Sequence, residues 1–413
     1  PDWRFGFIDA AFASSTAHYA LRLIKVADYT RSMLSTHRLQ HLRRVYLDGL
    51  IEDTLPFWFP RALDDQHGGY LLARDRDGSL LDDDKGMWQH GRTAWLLATL
   101  YCEVDPRPEW LQWARHGIEF IRSHGFDSDG RMFFHVTRDG RPVRKRRYLF
   151  TETFTVIALA AYSRALRLSG DEAAAETASR EAFALFDRIS SLLVTPGAVP
   201  AKYDEGTRPA KGLAMPMIMI ATAQVLRTIA RDPEPLSERI TEYIREIERD
   251  FVHPELEVVM ETVAPDGSII DHMDWRTITP GHSIEAAWFI LSEAAYRNND
   301  PHLISLGAQI VDWMWARGWD REYGGMLYFC DVTGRPVQEY WQDMKFWWPH
   351  NETIIATLMA YRLTGEERFA TMHQQVHEWA YQRFPDPENG EWYGYLHRDG
   401  RISVPLKGNL WKG

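Results

Sequence analysis

Cysteine is scarce in this chain of 413 residues. The two that occur, Cys102 and Cys330, lie far apart in apolar segments. That excludes a disulfide framework and a thiolate zinc site, and it leads to the expectation of a reducing compartment, the cytoplasm. Long apolar runs are lacking too, since no stretch reaches the roughly 20 residues that a membrane-spanning helix needs. Positive charge is in the minority, with 47 Lys and Arg against 58 Asp and Glu and a formal net charge of −11. General affinity for nucleic acid or an anionic membrane is therefore not expected. The one basic cluster, Arg144-Lys145-Arg146-Arg147, has no second basic run to support it and reads as a solvated hairpin tip, not a nuclear signal or anion site. Residues 1–32 have neither the basic start nor the clean apolar core of a signal peptide. Met33-Leu34-Ser35 reads as a natural start, which makes residues 1–32 an N-terminal extension without an assigned role. Familiar catalytic signatures are absent as well. There is no Gly-x-Ser-x-Gly, no His-Glu-x-x-His, no phosphate-cradling glycine loop and no dinucleotide fingerprint.

Aromatic residues, by contrast, are plentiful. They make up 13% of the chain, with 17 Trp, and suit a pocket that grips a flat, hydroxylated ligand. The most informative feature is internal repetition. GGYLLARDRDGSLLDDDKGMWQHGRTAWLLATLY, from Gly68, parallels GGMLYFCDVTGRPVQEYWQDMKFWWPHNETIIATLMAY, from Gly324. Both run from a Gly-Gly pair through an alternating strand, a turn containing Gly and a second arm to an aromatic opening of an apolar helix. Further copies start at Arg131, Leu256 and Gly390, and a weaker one at Ala201. The entries to the apolar helices, Trp88, Phe150, Met215, His282, Trp348 and Trp411, are 62, 65, 67, 66 and 63 residues apart.

Amphipathic segments lie between the units, at Glu109–His124, Asp171–Leu193, Leu236–Phe251, His302–Trp315 and Glu366–Phe384, and His37–Thr54 precedes the first. Their apolar residues recur at three and four. The helices after each hairpin are apolar almost all round, as a helix walled in on both sides must be. Two concentric rings are predicted: an all-α (α/α)6 barrel with hairpin loops over the inner-helix N-termini, forming one domain from residue 33 to 413. A solenoid of helix pairs is the alternative, but it gives no reason for the polar residues to gather at one end. The sixth unit reaches Gly413 where its inner helix is due. The expectation is a C-terminally incomplete barrel, with the sixth inner helix encoded downstream.

In such a barrel the first turns of the inner helices converge on a pocket. They carry Trp88, His90 and Arg92; Glu152; Met215 and Met217; His282 and Glu285; Trp348, His350 and Glu352; and Trp411 with Lys412. The stretch Thr279–Tyr296, TPGHSIEAAWFILSEAAY, is the most pointed of these. His282 and Glu285 are three residues apart and share a helix face. The positive end of the helix dipole disfavours imidazolium, so His282 is expected to be neutral and able to accept a proton, while Glu285 is stabilised as an anion and suited to orient it or a substrate hydroxyl. A buried histidine that merely caps its own helix is the plain reading of the same residues. His282 and His350 as a metal pair is weak, coming from different repeats, and no metal is expected. Carboxylates and tryptophans in a helical barrel also suit a glycosidase, but the histidines argue for proton transfer near neutral pH.

Four stretches, WQHGRTAWLLATLY, PGHSIEAAWFILSEA, MKFWWPHNETIIATLMAYRLTG and GEWYGYLHRDGRISVPLKGNLWKG, carry a resemblance to the N-acylglucosamine 2-epimerase family. That superfamily includes cellobiose 2-epimerases and aldose–ketose isomerases of mannose-like sugars. The resemblance runs from about residue 37 to the end. WWPHNE and the Met-Pro-Met stretch at Met215 are similar to the N-acylglucosamine branch. It implies the same barrel and an isomerase that removes the C2 proton of an open-chain sugar by a histidine. His282 then matches one acid/base histidine, Glu285 its helix partner, and Arg92 an arginine near the sugar oxygens, suited to a developing oxyanion. Trp88, His90, Glu152, Met215, Trp348, His350, Glu352 and Trp411 are expected to line the sugar cup. The family's second acid/base histidine follows the sixth unit's Lys-Gly, so it is expected beyond Gly413. The resemblance implies no required cofactor, a small-molecule sugar as partner and a possible homodimer. It also implies ATP as an effector in some members, for which no nucleotide motif is seen here. The expected activity is interconversion of N-acetylglucosamine and N-acetylmannosamine. The alternatives are an isomerase or 2-epimerase of unsubstituted sugars, a glycosidase, or a sugar-binding module without chemistry.

Overall fold

The computed structural model describes residues 36–412; the expected extension 1–32 and the start at Met33 lie outside them. The described residues form eleven α-helices of 13 residues or more: α1 (Thr36–Asp48), α2 (Met87–Glu103), α3 (Pro108–His124), α4 (Phe150–Ser169), α5 (Glu172–Val194), α6 (Ala214–Arg227), α7 (Glu234–Asp250), α8 (Pro280–Tyr296), α9 (Pro301–Gly318), α10 (Trp347–Thr364) and α11 (Glu367–Arg383). Two kinds alternate, as the sequence pattern predicts. In α2 every residue from Met87 to Tyr101 is buried, and in α8 every residue from Pro280 to Leu291. In α3 burial is confined to Trp110, Ala114, Gly117, Ile118, Phe120 and Ile121, one stripe at helical spacing. Each large apolar side chain buried in this way contributes about 1.5–3 kcal/mol.

The turns between helices follow from capping chemistry. Gly170 and Gly365 end α4 and α10 in the left-handed region, at φ 89° and 73°. Asp171 opens α5 by accepting from the Ala174 N–H, and Asp300 opens α9 by accepting from the His302 and Leu303 N–H groups, with Pro301 at the first helical position.

The described residues divide into two compact units. The first holds Phe57–Arg208, Ile218–Glu242 and the chain from Lys407 on. Within it α2 packs on α3 and α4, and α4 on α5. The second holds the chain up to Pro56, Pro209–Met217 and Tyr243–Leu406. Within it α8 packs on α9 and α10, and α10 on α11. Also in the second unit, the Tyr46 hydroxyl of α1 lies 3.0 Å from His373 Nε2 and 3.1 Å from His377 Nδ1, tying α1 to α11. Burial pushes those two imidazoles down to about 3 and about 4.

Strands are short and sit just before the buried helices. The predicted hairpin pairs its own arms in some units, such as Phe133–Val136 with Pro142–Lys145 and Tyr395–Leu396 with Ile402–Val404. A second rule joins neighbouring sequence repeats within a unit. The residues that lead into a buried helix pair with the hairpin of the following repeat: Lys85 with Val136, Lys211 with Val263, Thr277 with Asp331 and Lys345 with Leu396.

Three of those four lead-in residues are lysines, and each meets an aspartate. Lys85 Nζ donates to Asp64 at 2.9 Å, Lys345 Nζ to Asp320 at 3.0 Å and Lys211 Nζ to Asp250 at 2.6 Å. Lys85 also donates to the carbonyls of Gly68 and Arg138, and Lys345 to that of Gly325. Asp64 is bound by Arg138, and Asp320 by Arg398 in the same way. Burial pushes Lys345 down to about 8, against the opposing pull of Asp320. Burial alone would raise Asp320, but hydrogen bonds from Arg398 and Lys345 outweigh it and hold the carboxyl well below the usual range. Replacing Asp320 by Ala is expected to leave the Lys345 ammonium buried without its counter-ion and to cost about 3–5 kcal/mol of stability. Urea unfolding measures this. A loss under about 1 kcal/mol would put the pair on the level of a surface salt bridge.

Candidate active site

The polar residues expected at the helix mouths fall into two sets, one in each unit. In the first unit the first turn of α2 carries Trp88, His90 and Arg92, all buried. Trp88 sits among the rings of Phe134, Phe150, Phe154 and Trp411. Arg92 donates through a terminal nitrogen to the Trp411 carbonyl at 3.3 Å, and the Gln89 amide donates to the carbonyls of Asn409 and Lys412. The segment after Lys407 is thereby fastened to the start of α2. In α4, Glu152 is buried and one of its oxygens accepts from Arg131 Nε at 2.6 Å and from the Met132 N–H at 3.0 Å.

His90 has a structural duty that its sequence position did not announce. Its Nδ1–H donates to the Gly86 carbonyl at 2.8 Å, and its Nε2 accepts the Tyr70 N–H at 2.8 Å. His350 of the second unit repeats this, with Nδ1–H to the Phe346 carbonyl at 2.6 Å and Nε2 accepting the Met326 N–H at 3.0 Å. Gly325, at φ 76°, brings the backbone in so closely that a Cβ there would lie 2.9 Å from His350 Nε2; Gly69 stands in the same relation to His90. With both ring nitrogens bonded to backbone, these two imidazoles hold loops. Burial pushes both down to about 3.

His282 occupies the same place in its own unit, five residues after the strand residue Thr277, as His90 stands to Lys85 and His350 to Lys345. Its bonding differs. Nδ1 lies 2.8 Å from Oε2 of Glu261, and the imidazole is nearly parallel to the Trp348 indole at a centroid distance of 5.3 Å. Gly281 permits that stacking, since a Cβ there would fall 2.5 Å from the indole carbons of Trp348. The His282 side chain is 3% exposed and that of Glu261 12%. Glu261 borders a small cleft together with Asp274, Thr277, Thr279, Phe329 and Glu339. With a carboxylate on Nδ1, the neutral tautomer that fits carries its proton there and its lone pair on Nε2.

Glu285, expected as the partner of His282, is fully buried one turn further along α8; the carboxylate bonded to His282 Nδ1 is that of Glu261. Glu352 is also fully buried and accepts the Trp288 indole N–H at 2.6 Å. Met215 is half-buried, whereas Met217 is fully buried and packs in the core. Sequence reasoning missed Glu261. It lies between the short strands Val258–Val259 and Thr262–Val263 and is fixed by the Leu213 N–H, which donates to its carbonyl at 3.1 Å. That contact joins residues nearly fifty positions apart, and no spacing rule reports it.

The helical architecture matches solved sugar enzymes. A cellobiose 2-epimerase from Bacillus thermoamylovorans B4167 superposes with a TM-score of 0.77 at 21% identity, covering 90% of this chain and 96% of that one. A D-mannose isomerase gives 0.72 at 18% identity, covering 93% and 96%. At these identities the likeness establishes the fold, all-α of the (α/α)6 barrel class. Sequence comparison goes further. The N-acylglucosamine 2-epimerase pattern matches residues 68–412. The N-acylglucosamine 2-epimerase of Bos taurus is 32% identical over 373 residues, 88% of this chain and 86% of that protein. The chain belongs to the N-acylglucosamine 2-epimerase family, enzymes of the isomerase class.

The staple reading of His350 has a consequence for acid stability. Its folded-state value of about 3 lies below the unfolded value of about 6.5, so the unfolded chain takes up the proton first. Stability is complete above pH about 6.5 and falls as the pH drops towards about 3, by up to about 1.4 kcal/mol per pH unit for each such histidine. His350→Gln keeps an acceptor for the Met326 N–H and removes the titration. Its unfolding free energy, measured in urea between pH 6 and pH 4, is expected to fall less steeply than that of the wild type. Equal slopes would mean that the ring is not held neutral.

Proposed function

We propose that this epimerase interconverts N-acetylglucosamine and N-acetylmannosamine by moving the proton on C2 of the open-chain sugar. The observation that carries the reading is the 32% identity, along most of both chains, to an N-acylglucosamine 2-epimerase. The His282–Glu261 pair at a helix N-terminus supports it, being an imidazole in hydrogen-bond contact with a carboxylate, the pairing a general base needs.

The chemistry follows from the open-chain aldehyde, which acidifies the neighbouring C2–H. His282 takes that proton through Nε2 and becomes an imidazolium held by Glu261. The electron pair moves into an enolate whose oxygen needs a donor. A second acid on the opposite face returns a proton to C2 and inverts it. Trp348, stacked on His282, provides a flat wall for the sugar chain. An acetamido group at C2 leaves no route to an ordinary ketose, because nitrogen occupies the carbon where the ketone would form. The enzyme must therefore reprotonate C2 itself and house an acetyl group beside it. Met215, half-buried at the start of α6, offers a soft apolar wall for the acetyl methyl. No helix is long and apolar enough to cross a membrane among the described residues. A cytoplasmic site of action, a homodimer and a response to ATP belong to the same proposal, and the last is tested by adding the nucleotide to the assay.

Incubation with N-acetylmannosamine in deuterated water is expected to give N-acetylglucosamine carrying deuterium at C2, whereas mannose yields little fructose. Product chromatography and mass spectrometry decide. Abundant fructose with untouched N-acetyl sugars would move the protein to aldose–ketose isomerisation. His282→Ala is expected to lower C2 exchange by on the order of 100-fold or more while sugar binding persists. Retention of more than about a tenth of the exchange would remove His282 from the role of base.

A further inference from the structure

Resting on the reading of His282 as the base, we propose that Glu261 is its positioning residue, fixing the imidazole so that Nε2 faces the C2 proton and holding the imidazolium that forms. Three observations in the second unit carry this. The Glu261 carboxylate lies 2.8 Å from His282 Nδ1. Its backbone is pinned just before a strand: the Leu213 N–H binds its carbonyl, and the next two residues, Thr262 and Val263, pair with Gly212 and Lys211. The imidazole is backed by Trp348, through the space that Gly281 leaves open. Nδ1 is thus held by a carboxylate and one face of the ring by an indole.

The contrast with His90 and His350 sharpens the point. Those rings turn Nδ1 back to the carbonyl four residues earlier and spend Nε2 on a loop N–H. At His282 a carboxylate takes Nδ1 instead. A negative charge in hydrogen-bond contact raises the basicity of an imidazole, whereas a backbone carbonyl does so far less.

Other charged groups surround the pair. Asp274 and Glu339 border the same cleft as Glu261, and Glu285 lies three residues on along α8. On the segment leading into α8, Arg276 is bound to Asp271 and Asp331. From α10, the facing group is the uncharged indole of Trp348. The carboxylate bonded to the ring is that of Glu261, so its removal is the change that reaches His282 directly.

The test uses the pH dependence of kcat/KM in the full protein, whose acid limb reports the base. Glu261→Gln keeps an oxygen to accept from Nδ1 but removes the charge. It is expected to move the acid limb by about one pH unit towards lower pH and to lower the plateau. Glu261→Ala also frees the ring to turn, and kcat is expected to fall on the order of 100-fold with KM within about twofold. Glu261→Asp is expected to restore the limb in part. An unmoved limb in Glu261→Gln overturns the proposal, as does a limb that moves in Glu285→Gln instead. A rise in KM with kcat unchanged also overturns it, making Glu261 a sugar ligand. His282→Ala separates the two levels. If it retains exchange, the base is elsewhere and the reading beneath fails; if it loses exchange while Glu261→Gln keeps the wild-type profile, the failure is that of Glu261 alone.

Discussion

The buried lysine–aspartate pair at the lead-in to a buried helix is the constraint on which the rest of this structure depends. Lys85 with Asp64 in the first unit, and Lys345 with Asp320 in the second, have side chains with essentially no exposure. A charge in such a place is tolerable only when its partners are complete. Here each ammonium also meets a carbonyl of a Gly-Gly turn, and each carboxylate meets an arginine from a later hairpin. One short network therefore fixes the turn, the strand before the helix and the following hairpin together. Its geometry sets where the next five residues fall, and the fifth residue is a histidine in both cases.

Much of this was legible in the sequence. The all-round apolar runs from Trp88, Phe150, Met215, His282 and Trp348 could only be walled-in helices, and all five are found within a residue or two of those entries. The amphipathic segments were equally plain, because a single stripe at three and four has no other use. The staples were legible in principle. Gly-Gly, then Lys, then His five residues later occurs at Gly68, Lys85 and His90 and again at Gly324, Lys345 and His350. The unit of His282 has Thr277 where those have lysine and no Gly-Gly pair before it, so its histidine could have been separated from the other two by inspection.

The partner of His282 was not legible, for a physical reason. Helical spacing ties His282 to Glu285, and a reading along the chain stops there. The carboxylate that reaches the ring comes from the residue before a strand whose register is set by Lys211–Gly212, and the Leu213 N–H fixes it there. Two-residue strands carry almost no periodic signal, so which face of Val258–Val263 meets α8 is decided by tertiary pairing. The same limit applies to Met215 and Met217: both belong to an apolar helix in the sequence, and only burial separates the core side chain from the half-covered one.

Repetition explains why the candidate base stands where it does. A duplicated unit supplies a histidine at the mouth of a buried helix together with the backbone that satisfies it, and such a ring is held neutral and inert. Chemistry needs the opposite: a ring whose proton affinity lies near the working pH and whose lone pair faces outward. At His282 the partner of Nδ1 is a carboxylate, where His90 and His350 have a backbone carbonyl. In the sequence repeat of His282, Thr277 stands where the repeats of His90 and His350 have a lysine. The repeats of His90 and His350 keep the lysine network, and the repeat with threonine in its place is the one in which a histidine and a carboxylate come together beside a cleft.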